Sequence, residues 1–460
     1  MSTLARQVVE RWAALGGQPL PGMIAEAARL HLLDAIGVGL ASAGSSIGAP
    51  YRAYAERRTA PGAASVFGRT AGATPADAAM VNGGLIHSLE YDDTHTASIV
   101  HGSAVLAAAA LAAGEANGTS GSDMLRAYAL GWEVLVRLGQ AAPGSFQAAG
   151  YQITSVGGAL VAALTAAWLA RLDQDRTVAA VGIALSQASG VFEFLSNGAT
   201  VKSLHPGWAA HAGIVAADLA DAGLTGPETS LEGRFGLFRG FGRDEDAAGR
   251  FESDIATLGE VWHLGDAAFK FHPCCHYLHP FVEAAGLLAE RGVTAGSVAS
   301  LTCRVPQGAA GIICEPWADK LAPVSGHAAR WSLPIVVAAR LVEGKIDLDT
   351  FENPASEAVC ALAGRIEWEP LAGADFPRRF EAEIICRLHD GREHAIRVED
   401  VYGNRSRPAD PASVLAKFRA NAARSLSVDA VSALEQAVSG LDRAGGLTEL
   451  TAALRSRSGN

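Results

Sequence analysis

Three short stretches of the chain concentrate groups able to move protons or hold anions. The first, His87-Ser88-Leu89-Glu90-Tyr91-Asp92-Asp93-Thr94-His95 through His101-Gly102-Ser103, packs three carboxylates and three imidazoles into the fifteen residues 87–101 and then enters an alanine-rich run. The second is Lys202-Ser203-Leu204-His205-Pro206-Gly207, and the third is Lys270-Phe271-His272-Pro273-Cys274-Cys275-His276-Tyr277-Leu278-His279-Pro280. In the last two a proline stands where a helix is expected to begin. Each stretch therefore sets a lysine or an imidazole beside helix N–H groups that have no partner within the helix, a place that favours anions. Eight of the thirteen histidines (87, 95, 101, 205, 211, 272, 276 and 279) fall in or beside these stretches. Local positive charge in a chain of net charge −11 is the pattern for a small polyanion, and it suits carboxylates at least as well as phosphates.

The same run of cysteines and histidines invites a metal test. His272, one of Cys274 and Cys275, and His276 or His279 could ligate zinc, but structural zinc sites draw on two separated ligand pairs and no second pair follows. The expectation is no metal. Gly44-Ser45-Ser46-Ile47-Gly48 matches the nucleophile-elbow string, yet it follows a helical pattern and precedes Ala49-Pro50, whereas that chemistry needs a strand before the serine. No phosphate-cradling G-x-x-x-x-G-K-[ST] string occurs.

Composition bounds the class. With 460 residues, 49% of them hydrophobic, the chain can bury two cores, and its acidic balance argues against a nucleic-acid partner. The most apolar window, Val156–Ala170, is too short to span a bilayer, and Arg6, Glu10 and Arg11 interrupt any secretory signal. Six cysteines without a C-x-x-C pair suit a reducing compartment, so the expected location is the cytoplasm, with no membrane partner.

The elements that must position the three stretches read as mainly α with an α+β insert. Helical spacing predicts helices over Met23–Ser42, Ser103–Ala116, Gly121–Leu138, Val156–Leu172, Arg176–Leu195 and Pro206–Ala222. Thr74-Pro75-Ala76-Asp77 supplies a helix start with cap, proline and acid in order. Beyond Gly265 helix alternates with strand: Pro280–Arg291 and Trp331–Val342 as helices, Ser297–Val305 as a strand. Glu381–Leu388 and Glu393–Glu399 form a hairpin around Asp390-Gly391. The expected organisation is a large all-helical domain (residues 1–265 and 400–460) with a smaller α/β domain (266–399) inserted.

The motifs together resemble the MmgE/PrpD family, whose activities include 2-methylcitrate dehydratase, cis-aconitate decarboxylase and iminodisuccinate epimerase. The resemblance runs from Leu33-Asp34 and Gly37-Val38-Gly39 through the three stretches to Cys314-Glu315-Pro316 and Ala329-Arg330 with Ser332-Leu333-Pro334. It implies a helical domain with a lid domain, an active site between them, a homodimer and no obligatory cofactor. Residues matching its active-site positions are Glu90, Thr94, His101, Gln152, Lys202, Lys270 and Cys275. Glu90 stands where many members carry Asp, Gln152 where a His is common, and Cys275 where the decarboxylase branch looks like His.

On this resemblance His101 is the expected acid/base and Lys202 and Lys270 the carboxylate clamps, with His205 and His279 assisting. Asp93 and Glu90 orient imidazoles or take a hydroxyl proton, and Thr94 hydrogen-bonds the substrate. The leading expectation is a hydro-lyase on a citrate-like acid. The alternatives are an epimerase or decarboxylase on a related di- or tricarboxylate, and a polycarboxylate-binding protein without catalysis.

Overall fold

The computed structural model describes residues 2–58 and 60–456. It divides into two compact units: Met1–Ser88 with Asp92–Ala267 and Asp410–Asn460, and Leu89–Tyr91 with Ala268–Ala409. The chain thus leaves the first unit for three residues between the first two helices that matter to the site.

The first unit is helical and has its own apolar core. Helix Gly22–Ala43 carries fifteen buried positions, including His31 and Asp34 among Leu32, Leu33 and Ile36. Helix Pro75–His87 starts as the sequence predicts, with the Thr74 hydroxyl accepting from the Asp77 N–H and Pro75 at the first helical position. Helices Gly102–Asn117 and Leu204–Asp221 pack against it, and both pack against each other and against helix Ile153–Leu169. Their contact faces are alanine and glycine, which lets backbones approach closely. A Cβ at Gly83 would meet the Gly207 Cα at 2.7 Å, so only glycine admits this crossing. That closeness fixes His87 and His205, which ride on the two crossing helices.

Two expectations differ from the structure. The helix drawn over Arg176–Leu195 ends at Gln187, and the chain then turns extended at Ala188. The reason is tertiary: Gly190 sits at φ +117°, and a Cβ there would meet the Ser155 side chain at 2.6 Å. The helix expected to begin at Pro206 begins at Leu204, continuing a 3₁₀ turn over Thr200–Ser203, so Lys202 lies in that turn rather than beside an open helix end.

The second unit is built on a four-stranded sheet of order β2-β1-β3-β4, with β1 Val298–Val305, β2 Ile366–Pro370, β3 Ala382–Leu388 and β4 Glu393–Val398. β1 pairs parallel with β2 and antiparallel with β3. The β3–β4 hairpin closes where Asp390-Gly391 requires it, with Gly391 at φ +87° and the Leu388 N–H donating to the Arg392 carbonyl at 2.9 Å. Helices His279–Glu290 and Leu333–Glu343 pack together, and the former also covers β3 and β4, around a second separate core. Among the described residues no helix is long and apolar enough to cross a membrane.

Candidate active site

In the first unit the 92–101 segment folds back so that His101 becomes the N-cap residue of helix Gly102–Asn117. Its backbone N–H donates to the Thr154 hydroxyl at 3.0 Å. Its Nδ1 lies 3.0 Å from the Asp93 carbonyl and 3.0 Å from the Thr94 hydroxyl. A carbonyl only accepts, so Nδ1 carries a proton and Nε2 is the position left for exchange. The ring is about one-eighth exposed, its side chain at 12%, against 0% for neighbouring Asp92.

His87, the last residue of its helix, directs Nδ1 to Asp92 Oδ2 at 2.8 Å, and its ring centroid is 4.9 Å from that of His101. The Asp92 carboxylate is 4.0 Å from His101 Nδ1. One buried carboxylate thus faces two imidazoles.

Asp93 faces elsewhere. Its Oδ2 accepts from Ser103 Oγ at 2.5 Å and His31 Nδ1 at 2.8 Å, and its Oδ1 from the Ser103 N–H at 3.3 Å. Ser103 Oγ in turn accepts from Tyr128 (2.5 Å) and Trp132 Nε1 (3.2 Å). Burial, and then the Asp93 charge, hold the Tyr128 hydroxyl well above its usual range. Five donor groups from three helices converge on one carboxylate and its serine, which locks the segment that presents His101. Sequence reasoning named Asp93, and quoted Ser103 only as the end of the first stretch; His31, Tyr128 and Trp132 it did not name.

Gln152 caps helix Ile153–Leu169 by position, and its side-chain oxygen accepts from His205 Nδ1 at 2.7 Å. Burial first, then electrostatic repulsion from His87 and Lys202, push the His205 pKa down to about 4, so this ring is neutral at physiological pH. Lys202 is itself buried, at 9% exposure.

The second unit gathers a different set. Glu90, at φ +53°, and Lys270 are both buried, with Nζ 3.9 Å from Oε2. Arg330 donates to the Leu89 carbonyl at 2.9 Å and the Pro273 carbonyl at 2.5 Å, and stacks 4.7 Å above the Phe351 ring. Burial lowers its pKa to about 10. It therefore ties the Leu89–Tyr91 piece to the Lys270–His279 loop, a role the sequence did not disclose although Arg330 stood in a quoted motif. The Cys275 N–H donates to the Arg330 carbonyl at 2.9 Å, and Cys275 is buried. Burial raises the Cys274 thiol, keeping it protonated.

His279 opens its helix with Pro280 behind it, as expected, and is buried against His276 (4.7 Å) and His272 (5.2 Å). Burial, then those two rings and Lys270, depress it well below the usual imidazole range. His272 and His279 also line a hollow with Phe271, Glu283, Arg340 and Tyr402.

The predicted residues thus form two groups: Asp93, Thr94, His101, Gln152, Lys202 and His205 in the first unit, Glu90, Lys270, Cys275 and His279 in the second. Two family models match the chain one after the other. A family model described as the MmgE/PrpD N-terminal domain matches residues 8–249, and one for the C-terminal domain matches 272–443. The human cis-aconitate decarboxylase is 32% identical over 400 residues, covering 84% of this chain and 80% of its own. The mouse protein of the same name is 30% identical over 463 residues (95% and 90%), and that of Aspergillus terreus 28% over 454 (94% and 92%). Both halves are matched in order along one chain. The protein belongs to the MmgE/PrpD family.

Proposed function

We propose that this protein is a carboxy-lyase acting on a small unsaturated tricarboxylate of the cis-aconitate kind. The comparisons support an enzyme of the lyase kind, and the relatives named above are called decarboxylases. They lend nothing to the hydro-lyase that the sequence alone puts first.

The observation that carries the mechanism is the hold on His101. In such a decarboxylation the bond from a CH₂ carbon to its carboxylate breaks and CO₂ leaves. The bonding pair forms a new alkene, and the old alkene pair moves to the carbon beside a second carboxylate, where one proton must arrive. Trianion plus proton gives dianion plus CO₂, and no other reagent enters. With Nδ1–H tied to the Asp93 carbonyl, His101 Nε2 is the atom proposed to deliver that proton. Asp92, 4.0 Å away, favours the charged ring that precedes delivery.

Lys202 and Lys270 keep the proposed part of carboxylate-holding cations, which offset charge building on carbon. Neutral His205, its Nδ1–H committed to Gln152, offers Nε2 as a hydrogen-bond acceptor or relay without adding charge. Asp93 is proposed as a positioning group for the His101 segment. We further propose a homodimer in the cytoplasm, which sedimentation and cell fractionation test.

The deciding experiment incubates the purified chain with cis-aconitate in D₂O. The expected outcome is CO₂ and a five-carbon unsaturated dicarboxylate carrying one deuterium on its saturated methylene. Addition of water without CO₂ identifies a hydro-lyase instead. A raised melting temperature without conversion of this or related polyacids leaves only a binder and overturns the proposal.

A further inference from the structure

Among the described residues, two groups of three side chains bring nitrogen and carboxylate ligand atoms together: His87, Asp92 and His101, which belong to the candidate active site, and His95, His263 and Asp266, which do not. In the second group one ligand atom from each residue lies within 4.8 Å of the others. Ligands on a tetrahedral ion with bonds of about 2.0–2.2 Å sit roughly 3.4 Å apart. Small rotations of His263 and Asp266, both half-buried, close that gap.

The local hydrogen bonds prepare this arrangement. His95 is buried and pinned by paired backbone bonds with Val100. Its Nδ1 meets Ser98 Oγ at 2.8 Å, and that hydroxyl donates to the His95 carbonyl at 3.5 Å. In the tautomer whose Nδ1–H donates to Ser98 Oγ, Nε2 carries the lone pair, the form in which imidazole binds a metal. His263 and Asp266 belong to one turn, closed by the Asp266 N–H donating to the His263 carbonyl at 2.9 Å. The His263 and Leu264 N–H groups donate to Glu133 at 2.9 and 2.8 Å, and Arg137 neutralises Glu133 at 2.7 Å. The turn is therefore anchored through Glu133, whose carboxylate is already engaged.

We propose that His95, His263 and Asp266 form a binding site for one divalent transition ion of the zinc, cobalt or nickel type. Two imidazoles and one carboxylate select these ions over magnesium and calcium, which want oxygen. An ion there cross-links the segment carrying His101 to the turn 264–266, so its role is to stiffen the proton donor's support.

The test treats the full-length protein with chelator and titrates it with cobalt(II), followed by visible absorbance, and with zinc by calorimetry. One ion per chain is expected at roughly micromolar affinity or tighter, with a raised melting temperature. Asp266→Asn and His263→Gln should each weaken binding by about tenfold or more while the metal-free melting temperature holds. His101→Asn should leave binding intact. Absence of binding below millimolar metal, unchanged affinity in both turn variants, or loss with His101→Asn alone each overturns the proposal. Should one turn variant fail to fold, the other decides.

Discussion

The two residue groups solve different problems with similar side chains. In the first unit every histidine at the site has a named acceptor: Asp92 for His87, the Asp93 carbonyl for His101, Gln152 for His205. Hydrogen bonding fixes which ring nitrogen carries the proton. In the second unit His272, His276 and His279 lean edge-on against one another, and burial is the main cause that depresses His279. There the cations Lys270 and Arg330 are held among carbonyls and one carboxylate. The first group is arranged to handle protons, the second to keep charge out of water. Sequence alone treats the stretches as three copies of one design, a cation beside a helix start. The structure separates them by what holds each ring.

The sharpest way to break this comparison is Lys270→Met. If the second unit works by enclosed charge, Glu90 is left buried without its lysine, and stability should fall by about 3 kcal/mol or more. Adding Glu90→Gln should recover much of the melting temperature. A silent Lys270→Met would show that the pair is not held as described.

His101→Ala probes the other side. Turnover should drop by about 10²-fold, roughly 2.7 kcal/mol of transition-state stabilisation, with little change in melting temperature. Loss of fold together with activity would move His101 from chemistry to structure.

Gln152→Leu removes the acceptor that fixes His205 and leaves a buried N–H unpaired, at a cost of about 2 kcal/mol. Gln152→His should cost less and introduce a second titrating ring, visible as a new limb in the pH–rate profile.

The smallest effect is a slope. His205 binds its proton near pH 4 when folded and near 6.5 when unfolded, so the unfolded chain takes up protons first as pH falls. Its contribution is complete above about 6.5 and is lost toward 4, by about 1 kcal/mol per pH unit. His205→Gln should flatten that part of the stability curve, measured by denaturant melts at several pH values. An unchanged slope would exclude His205 as its source.

Much of this molecule could be read locally. Thr74-Pro75 and Asp390-Gly391 announce a helix start and a hairpin because their chemistry acts within four residues. The helices over 22–43 and 102–117 follow from their own apolar runs. The end of the helix at Gln187 was missed because it depends on Gly190 meeting Ser155, thirty-five residues away in sequence. Likewise β2, a short run that contains Glu367 and Glu369 and ends in Pro370, becomes a strand only by lying parallel to β1. At the site, Glu90, Thr94, His101, Gln152, Lys202, Lys270 and Cys275 came from motifs, and Asp93, His205 and His279 from the charge of their stretches. Their partners His31, Tyr128 and Trp132 come from distant helices and carried no pattern, and Arg330 stood in a motif that did not disclose its partners. His95 with His263 and Asp266 was invisible for the same reason, since the metal test followed spacing within one run.

The three-residue excursion of Leu89–Tyr91 has a consequence for anyone recombining members of this family. The second unit is not a cassette with two ends. Cutting at Ala268 and Ala409 would strand an acidic residue on the wrong half and deprive Arg330 of a carbonyl it grips. A chimera that exchanges this unit between relatives must transplant the tripeptide as well, four joins instead of two.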